Sequence, residues 1–288
     1  MTTYILYNPK AGKGNINDDI KKISALYEDE VECIDVTTLE NLPDFVLQKN
    51  ENEAIVICGG DGTINKFVNM VDTDSIKCDI LYYPAGTGND FLSDLGKTAL
   101  ECPISIKEYF KDLPMVQING VDYKFINGVG YGIDGYCCEV GDALKASSDK
   151  PVNYTAIAIK GLLFHYKPTG ATVTVDGKEY RFKKVWIAPT MKGRYYGGGM
   201  IPTPDQSRND PDGKLSVMVF HDTGKISTLA IFPSIFKGKH VNHKKAVTVY
   251  SGHEITVQFD EPRPLQVDGE TILGVTEYTA FSKVSAKV

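Results

Sequence analysis

The chain has 288 residues, a net charge of −6, and 42% hydrophobic against 24% charged residues, so it can bury one large or two ordinary cores and is not disordered. Neither a membrane span nor an exported scaffold is expected. The longest apolar run, residues 228–236, is broken by Pro233, and the first residues lack the basic start and long apolar core of an export signal.

Charge along the chain is uneven. Residues 1–121 hold 10 Lys and Arg against 20 Asp and Glu, while residues 122–275 hold 19 against 16. No domain is basic enough for a nucleic-acid partner, and the asymmetry points to two domains. Six cysteines, at 33, 58, 78, 102, 137 and 138, show no Cys-x-x-Cys spacing. Separate thiols in a reducing cytoplasm are expected, not a disulfide or zinc framework.

In the first 120 residues, β-type runs at 3–7, 31–36, 54–58 and 79–83 alternate with helical stretches at 17–28, 41–49 and 63–71. Such alternation means βαβ units and a mostly parallel sheet, with ligands at the strand ends. From about residue 122 the period changes. Residues 171–182 read as a hairpin turning at Asp176-Gly177, further short strands follow at 183–188, 214–220, 246–250, 254–259 and 264–267, and one helix interrupts them near 154–164. The expected fold is an α/β N-terminal domain, residues 1–121, followed by a C-terminal antiparallel β-sandwich, residues 122–275, with a cleft between them.

Several strand ends carry glycine-rich loops. Asn8-Pro-Lys-Ala-Gly12 follows the first strand and is either a turn or part of a phosphate site; it is not a Walker A loop. Gly59-Gly-Asp-Gly-Thr-Ile-Asn65 removes side chains where phosphate oxygens would approach backbone N–H groups. Asp61 in its middle repels phosphate unless a cation intervenes, which a Mg²⁺-nucleotide supplies. The plain alternative is a turn with Asp61 capping the helix that follows. Pro84-Ala-Gly-Thr-Gly-Asn-Asp-Phe91 repeats the pattern, with Thr87 offering a hydroxyl and Asp90 a second carboxylate. Gly130-Tyr-Gly-Ile-Asp-Gly135 matches a dinucleotide fingerprint by letter only, because it opens the β-rich half, though Asp134 could line the cleft. Asp212 and nearby carbonyls could hold a hard cation or merely form a polar turn. Asp268 and Glu270, around Gly269, are either a hairpin turn or a general base.

Taken in order, these segments, with Phe125-Ile-Asn-Gly-Val-Gly-Tyr-Gly-Ile-Asp134, Tyr196-Gly-Gly-Gly-Met200, Asp212-Gly-Lys-Leu215 and Val267-Asp-Gly-Glu270, resemble the diacylglycerol kinase catalytic-domain family of soluble lipid kinases. The resemblance implies ATP bound by Asn8, Pro9, Lys10, Ala11 and Gly12, by Thr37, by Gly59, Gly60, Asp61, Gly62, Thr63, Ile64 and Asn65, and by Thr87. It implies a magnesium and phosphate network of Asp61, Asp90 and Asp134, a proton acceptor at Asp268 or Glu270, and a structural magnesium at Asp212 with carbonyls of Asn209 and Lys214. It also assigns residues 276–288 to the first domain and is compatible with a homodimer. One departure stands out: the family usually has Glu where this chain has Lys66.

The implied activity is ATP- and Mg-dependent phosphorylation of a lipid hydroxyl, most closely that of diacylglycerol. The alternatives are an NAD kinase-like enzyme, or a nucleotide-binding regulator with catalysis weakened at Lys66. Residues 223–253 contain no Asp or Glu and carry Lys225, Lys237, Lys239, Lys244 and Lys245 beside Ile231, Phe232, Ile235 and Phe236. This segment is either an ordinary surface or a docking face for the anionic inner face of a membrane.

Overall fold

The structure is a computed structural model describing residues 2–9, 16–85, 88–97, 99–147, 152 and 154–283. The chain divides into two compact units, Met1–Leu113 and Pro114–Val288.

The first unit runs β1 (Thr2–Tyr7), α1 (Ile16–Ser24), β2 (Val31–Asp35), α2 (Leu42–Leu47), β3 (Glu53–Gly59), α3 (Asp61–Met70), β4 (Asp79–Pro84), α4 (Asp90–Asp94) and β5 (Ile104–Ser105). The sheet order is β2-β1-β3-β4-β5, parallel except for the short β5 at the edge. Ala54 to Cys58 of the central β3 are almost wholly buried, as a strand covered on both faces must be, which is why it reads as an unbroken apolar run. Ile16, Ile20 and Ile23 lie on one face of α1 and pack with Ile5, Val56 and Cys58. In α3, Ile64, Phe67 and Val68 form the buried face, and acidic Asp61 in the first turn suits the positive end of the helix. Parallel strands β1 to β4 end on one edge, so Asn8, Thr37, Gly60 and Ala85 gather there.

The second unit adds β6 (Met115–Ile118), β7 (Val121–Lys124), β8 (Gly128–Tyr131), α5 (Ile133–Ser147), α6 (Tyr154–Lys160), β9 (Thr169–Val175), β10 (Lys178–Val185), β11 (Thr190–Met191), β12 (Leu215–Phe220), α7 (Lys225–Ile231), β13 (Val247–Gly252), β14 (Glu254–Val267) and β15 (Glu270–Phe281). These strands form one antiparallel sheet folded into a sandwich. The order is β13-β12-β11-β8-β14-β15-β6-β7, and β9, carrying β10, branches off β14. The fold turns on β14, expected as two strands but continuous here. Its first half pairs with β9 and its end pairs with β8, and the β15 register shifts between Gln258 and Leu265, where Pro262 and Pro264 cannot donate to a ladder. The hairpin turn sits where expected, with both Asp176 and Gly177 at positive φ. Val173, Val217, Val257, Phe259, Leu265 and Tyr278 are among the side chains enclosed between the layers.

Three expectations are corrected. The boundary falls at residue 113 rather than 121, because the β6–β7 hairpin joins the second sheet through β15. Residues 276–281 do not return to the first unit but finish β15, paired with β6; residues 284–288 lie outside the described residues. The single helix near 154–164 is α6 running into a π-helical turn, Gly161–His165, and it is preceded by a 15-residue helix, α5, that periodicity did not reveal. Within α5, Gly135 and Gly141 replace apolar residues because a Cβ would lie 2.0 Å from the Pro264 carbonyl oxygen or 2.5 Å from the Tyr154 ring. The Gly130–Gly135 match therefore does run from strand to helix, but its strand lies in an antiparallel sheet with no βαβ unit. Among the described residues no helix is long and apolar enough to cross a membrane.

Candidate active site

At the strand ends of the first unit, the loop after β3 and the loop before α4 are joined by Asp61. Its carboxylate accepts the backbone N–H of Asp90 at 2.7 Å and of Phe91 at 3.1 Å, while its own N–H donates to the Gly88 carbonyl at 3.1 Å. Asp61 thus caps α4, the neighbouring helix, as well as opening its own. The loops also meet where the Ala85 N–H donates to the Gly59 carbonyl at 3.0 Å. Gly59 is obligatory, since a Cβ there would stand 2.3 Å from Thr63 Oγ1. Asp61, Asn65, Asp90 and Asp94 are all at least nine-tenths buried, and the last two are one turn apart on α4. Tyr82 lies beneath them, its hydroxyl donating to Asn89 Oδ1 at 3.1 Å. Burial first, and the Asp61 charge second, hold that phenol far above its ordinary pKa, so it stays a donor.

Other expected nucleotide residues are placed unevenly. Thr37 follows β2 in a turn closed by Asp35, whose Oδ1 accepts both the Thr37 N–H and hydroxyl, at 2.8 and 2.7 Å. Asn8 and Pro9 follow β1. Gly60, Gly62 and Thr63 are half-buried at the start of α3, but the Ile64 side chain is fully buried in the core, leaving only its backbone to meet a ligand. Lys10, Ala11, Gly12 and Thr87 lie outside the described residues. Lys66 is exposed, about 140° around α3 from Asp61 at 3.6 residues per turn.

In the second unit Asp268 and Glu270, one residue apart, have different surroundings. Asp268, at φ 48°, and Gly269, at φ 96°, make the tight turn between β14 and β15. The Asp268 carboxylate accepts three backbone N–H groups, from Ile126 at 2.6 Å and from Asn127 and Gly128 at 2.9 Å each. Glu270, the first residue of β15, is exposed. Sequence reasoning left these two equivalent, and only the register of the turn against β8 separates them.

Asp134 belongs to the second unit. It stands in the first turn of α5, buried over Gly130, where a Cβ would meet its Oδ2 at 1.6 Å, and it accepts the Tyr196 hydroxyl at 3.1 Å. Burial pushes its carboxyl from 3.8 up to about 6. The neutral form is favoured in the folded chain, so this stabilisation is complete below pH 3.8 and is lost as pH rises through about 6. The loss is on the order of 3 kcal/mol. Asp134→Asn is expected to flatten the fall in urea midpoint between pH 4 and 6. Equal slopes for the two proteins would show that the carboxyl titrates normally.

The expected cation loop is organised by a residue not anticipated, Asp210. Its Oδ1 accepts the Asp212 N–H at 2.9 Å and the Lys214 N–H at 3.2 Å. Asp212 Oδ2 lies 3.2 Å from Lys214 Nζ, both exposed, and the Lys214 carbonyl accepts Gln206 Nε2 at 3.0 Å. A carboxylate and backbone carbonyls are the kind of oxygen donors a hard cation takes, a carbonyl keeps a second lone pair beside one accepted bond, and an exposed ammonium can swing aside.

Residues 2–118 match the diacylglycerol kinase catalytic domain, and residues 127–281 match the YegS C-terminal NAD kinase beta sandwich-like domain, more than half of the chain by itself. The chain belongs to the diacylglycerol kinase catalytic-domain family. By membership it is a phosphotransferase of the lipid-kinase type. A Staphylococcus aureus (strain Newman) protein named "Putative lipid kinase" is 28% identical, over 93% of this chain and 90% of that protein. A diacylglycerol kinase structure from Bacillus anthracis str. Sterne is 20% identical with a TM-score of 0.62, covering 98% of this chain and 93% of that one, a likeness of fold. Yeast NADH kinase complexed with NADH, at 12% identity and a TM-score of 0.50 over 99% of this chain and 79% of that one, shares only the fold. Within this family setting, Asp94, Asn127, Arg208 and Asp210 are the residues that sequence reasoning passed over. Asn127 stood inside a motif without a role, and the others carried no signal.

Proposed function

We propose that this lipid-kinase family member transfers the γ-phosphoryl group of ATP to the primary hydroxyl of a lipid, diacylglycerol first among the candidates. The observation that carries the reading is the bridge made by Asp61, which turns two glycine-rich strand-end loops into one surface where parallel α/β sheets take their ligands. Asn8, Pro9, Thr37, the Gly59–Asn65 loop and, outside the described residues, Lys10, Ala11, Gly12 and Thr87 are the proposed nucleotide contacts. The buried oxygen donors Asp61, Asn65, Asp90 and Asp94 suit Mg²⁺. When bound, that ion neutralises the phosphate charge that Asp61 and Asp90 would otherwise repel. Asp134 is proposed to belong to the same network, and Asp212 with the Asn209 and Lys214 carbonyls to hold a second, structural Mg²⁺.

Glu270 is the proposed proton acceptor. As the lipid oxygen bonds to the γ-phosphorus and the bond to the β-phosphate oxygen breaks, its carboxylate takes the hydroxyl proton and later releases it to solvent. Asp268, committed to three amides, holds the turn. Incubating the protein with γ-labelled ATP, Mg²⁺ and a cellular lipid extract is expected to label an organic-phase lipid. Label confined to NADP, or ATP bound without turnover on any lipid, would overturn the reading.

The lipid reaches the enzyme at an anionic membrane, on the proposed reading, through the acid-free region 223–253. The side chains available differ from expectation. Ile235 is 1% exposed, and Ile231 and Phe232 pack against the core, because residues 225–237 are helical and turn one face inward. Ile226, 85% exposed, and Phe236, 39% exposed, remain to enter the interface. Lys225 Nζ donates to the Leu163 carbonyl at 2.7 Å, placing exposed Phe164 nearby. Binding to anionic vesicles is expected to weaken with salt, and to fall sharply when Lys237, Lys239, Lys244 and Lys245 become Gln together, each contributing on the order of 1 kcal/mol. Equal co-sedimentation of that variant and the wild type would rule the face out.

A further inference from the structure

Three loops of the second unit converge on one peptide segment, Ile126-Asn127-Gly128. From one side the Asp268 carboxylate takes all three N–H groups, and the Asp268 N–H returns a bond to the Gly128 carbonyl at 3.1 Å. From the other side Arg208, 8% exposed, donates Nη1 to the Ile126 carbonyl and Nη2 to Asn127 Oδ1 at 2.7 Å. Asn127, 2% exposed, has its own carbonyl occupied by the Lys192 and Gly193 N–H groups at 2.9 and 3.1 Å. Gln206, two residues before Arg208, secures that loop, with Nε2 donating to the carbonyls of Lys192, Ser207 and Lys214 at 3.0–3.2 Å.

We propose that Arg208 is a positioning residue for the Asp268–Glu270 turn, acting through the Ile126–Gly128 segment. The segment lies between an anion on its N–H side and a cation on its oxygen side. Both charges polarise the Ile126–Asn127 peptide in the same sense, its carbonyl facing Arg208 and its N–H facing Asp268, so the bonds at its two ends strengthen each other. The guanidinium reaches two acceptors at once with its planar fork, which one ammonium cannot reproduce. Loss of that fork frees the segment to shift, Asp268 shifts with it, and Glu270, two residues on, leaves the geometry in which it meets the acceptor hydroxyl. The proposal rests on the reading of Glu270 as proton acceptor, but the bond network it invokes does not.

Arg208→Lys tests it, since the charge and the fold are retained. The kcat for lipid phosphorylation is expected to fall roughly 10–100-fold, the range for loss of an outer-shell support, with the KM for ATP unchanged. Hydrogen exchange at the amides of Ile126, Asn127 and Gly128 is expected to accelerate. Combining Arg208→Lys with Asp268→Asn is expected to lower kcat no further than the more damaging single change, because both act through one segment. Wild-type kcat, unaltered exchange at those three amides, or kcat losses that multiply in the double variant would each overturn the proposal. Full turnover by Glu270→Gln would defeat the assignment of the base alone. Faster exchange and non-additive loss would then still support the Arg208–Asp268 link.

Discussion

Asp61→Asn is expected to remove phosphoryl transfer and to soften the first unit at the same time. The amide can keep one of the two bonds from the Asp90 and Phe91 N–H groups, but its NH₂ then faces the other, and two donors meet in a site that is 8% exposed. A lost charge-assisted bond with an unsatisfied donor costs about 2–3 kcal/mol, a fall in Tm on the order of 5–10 °C for a unit of this size. A loop carboxylate can often be neutralised without touching the fold, but the capping of α4 by Asp61 removes that separation. The kinetic loss should still exceed the structural one. With the protein assayed well below its lowered Tm, kcat is expected to fall at least about 10²-fold, as when one preorganised electrostatic group is removed from a reacting centre. Normal kcat at a lowered Tm would leave Asp61 only the role of a cap. Normal values of both would remove it from the site.

The second large effect separates the two acidic residues of the β14–β15 turn. Glu270→Gln is expected to lower kcat by roughly 10²–10⁴ with Tm and ATP affinity unchanged, because the side chain is exposed at the start of β15. Asp268→Asn is expected to act through the fold. Three N–H groups lose their anion, a destabilisation of about 2–4 kcal/mol, and activity follows as the turn loosens. Calorimetry and steady-state kinetics on the two variants decide this. If Glu270→Gln turns over normally while Asp268→Asn is inactive yet as stable as the wild type, the roles are reversed and Asp268 is the base.

Much of this arrangement can be read in the chain without coordinates, and the reason is locality. A buried parallel strand such as β3 announces itself as a continuous apolar run, and glycines at a strand end announce a backbone that something must approach closely. These are properties of neighbours in sequence, so the α/β unit, the hairpin at Asp176-Gly177 and the strand-end loops were legible. What each polar side chain does there was not. Asp61 reads as a cap of its own helix or a partner of a cation, and it caps a helix that begins 29 residues later, which only the pairing of β3 with β4 decides. Asp268 and Glu270 are interchangeable on paper; the register of β14 on β8 brings amides 140–142 residues away against the first and none of those three against the second. Helix α5 was hidden because Gly135 and Gly141 break its apolar stripe where the Pro264 carbonyl and the Tyr154 ring press closest. The strand of residues 276–281 was misassigned because its own sequence cannot say which edge it will pair with. A hydrogen bond forms within about 3 Å whatever the separation along the chain. The sequence therefore determined the elements and the residues able to do chemistry, and the tertiary structure alone decided which distant groups those residues meet.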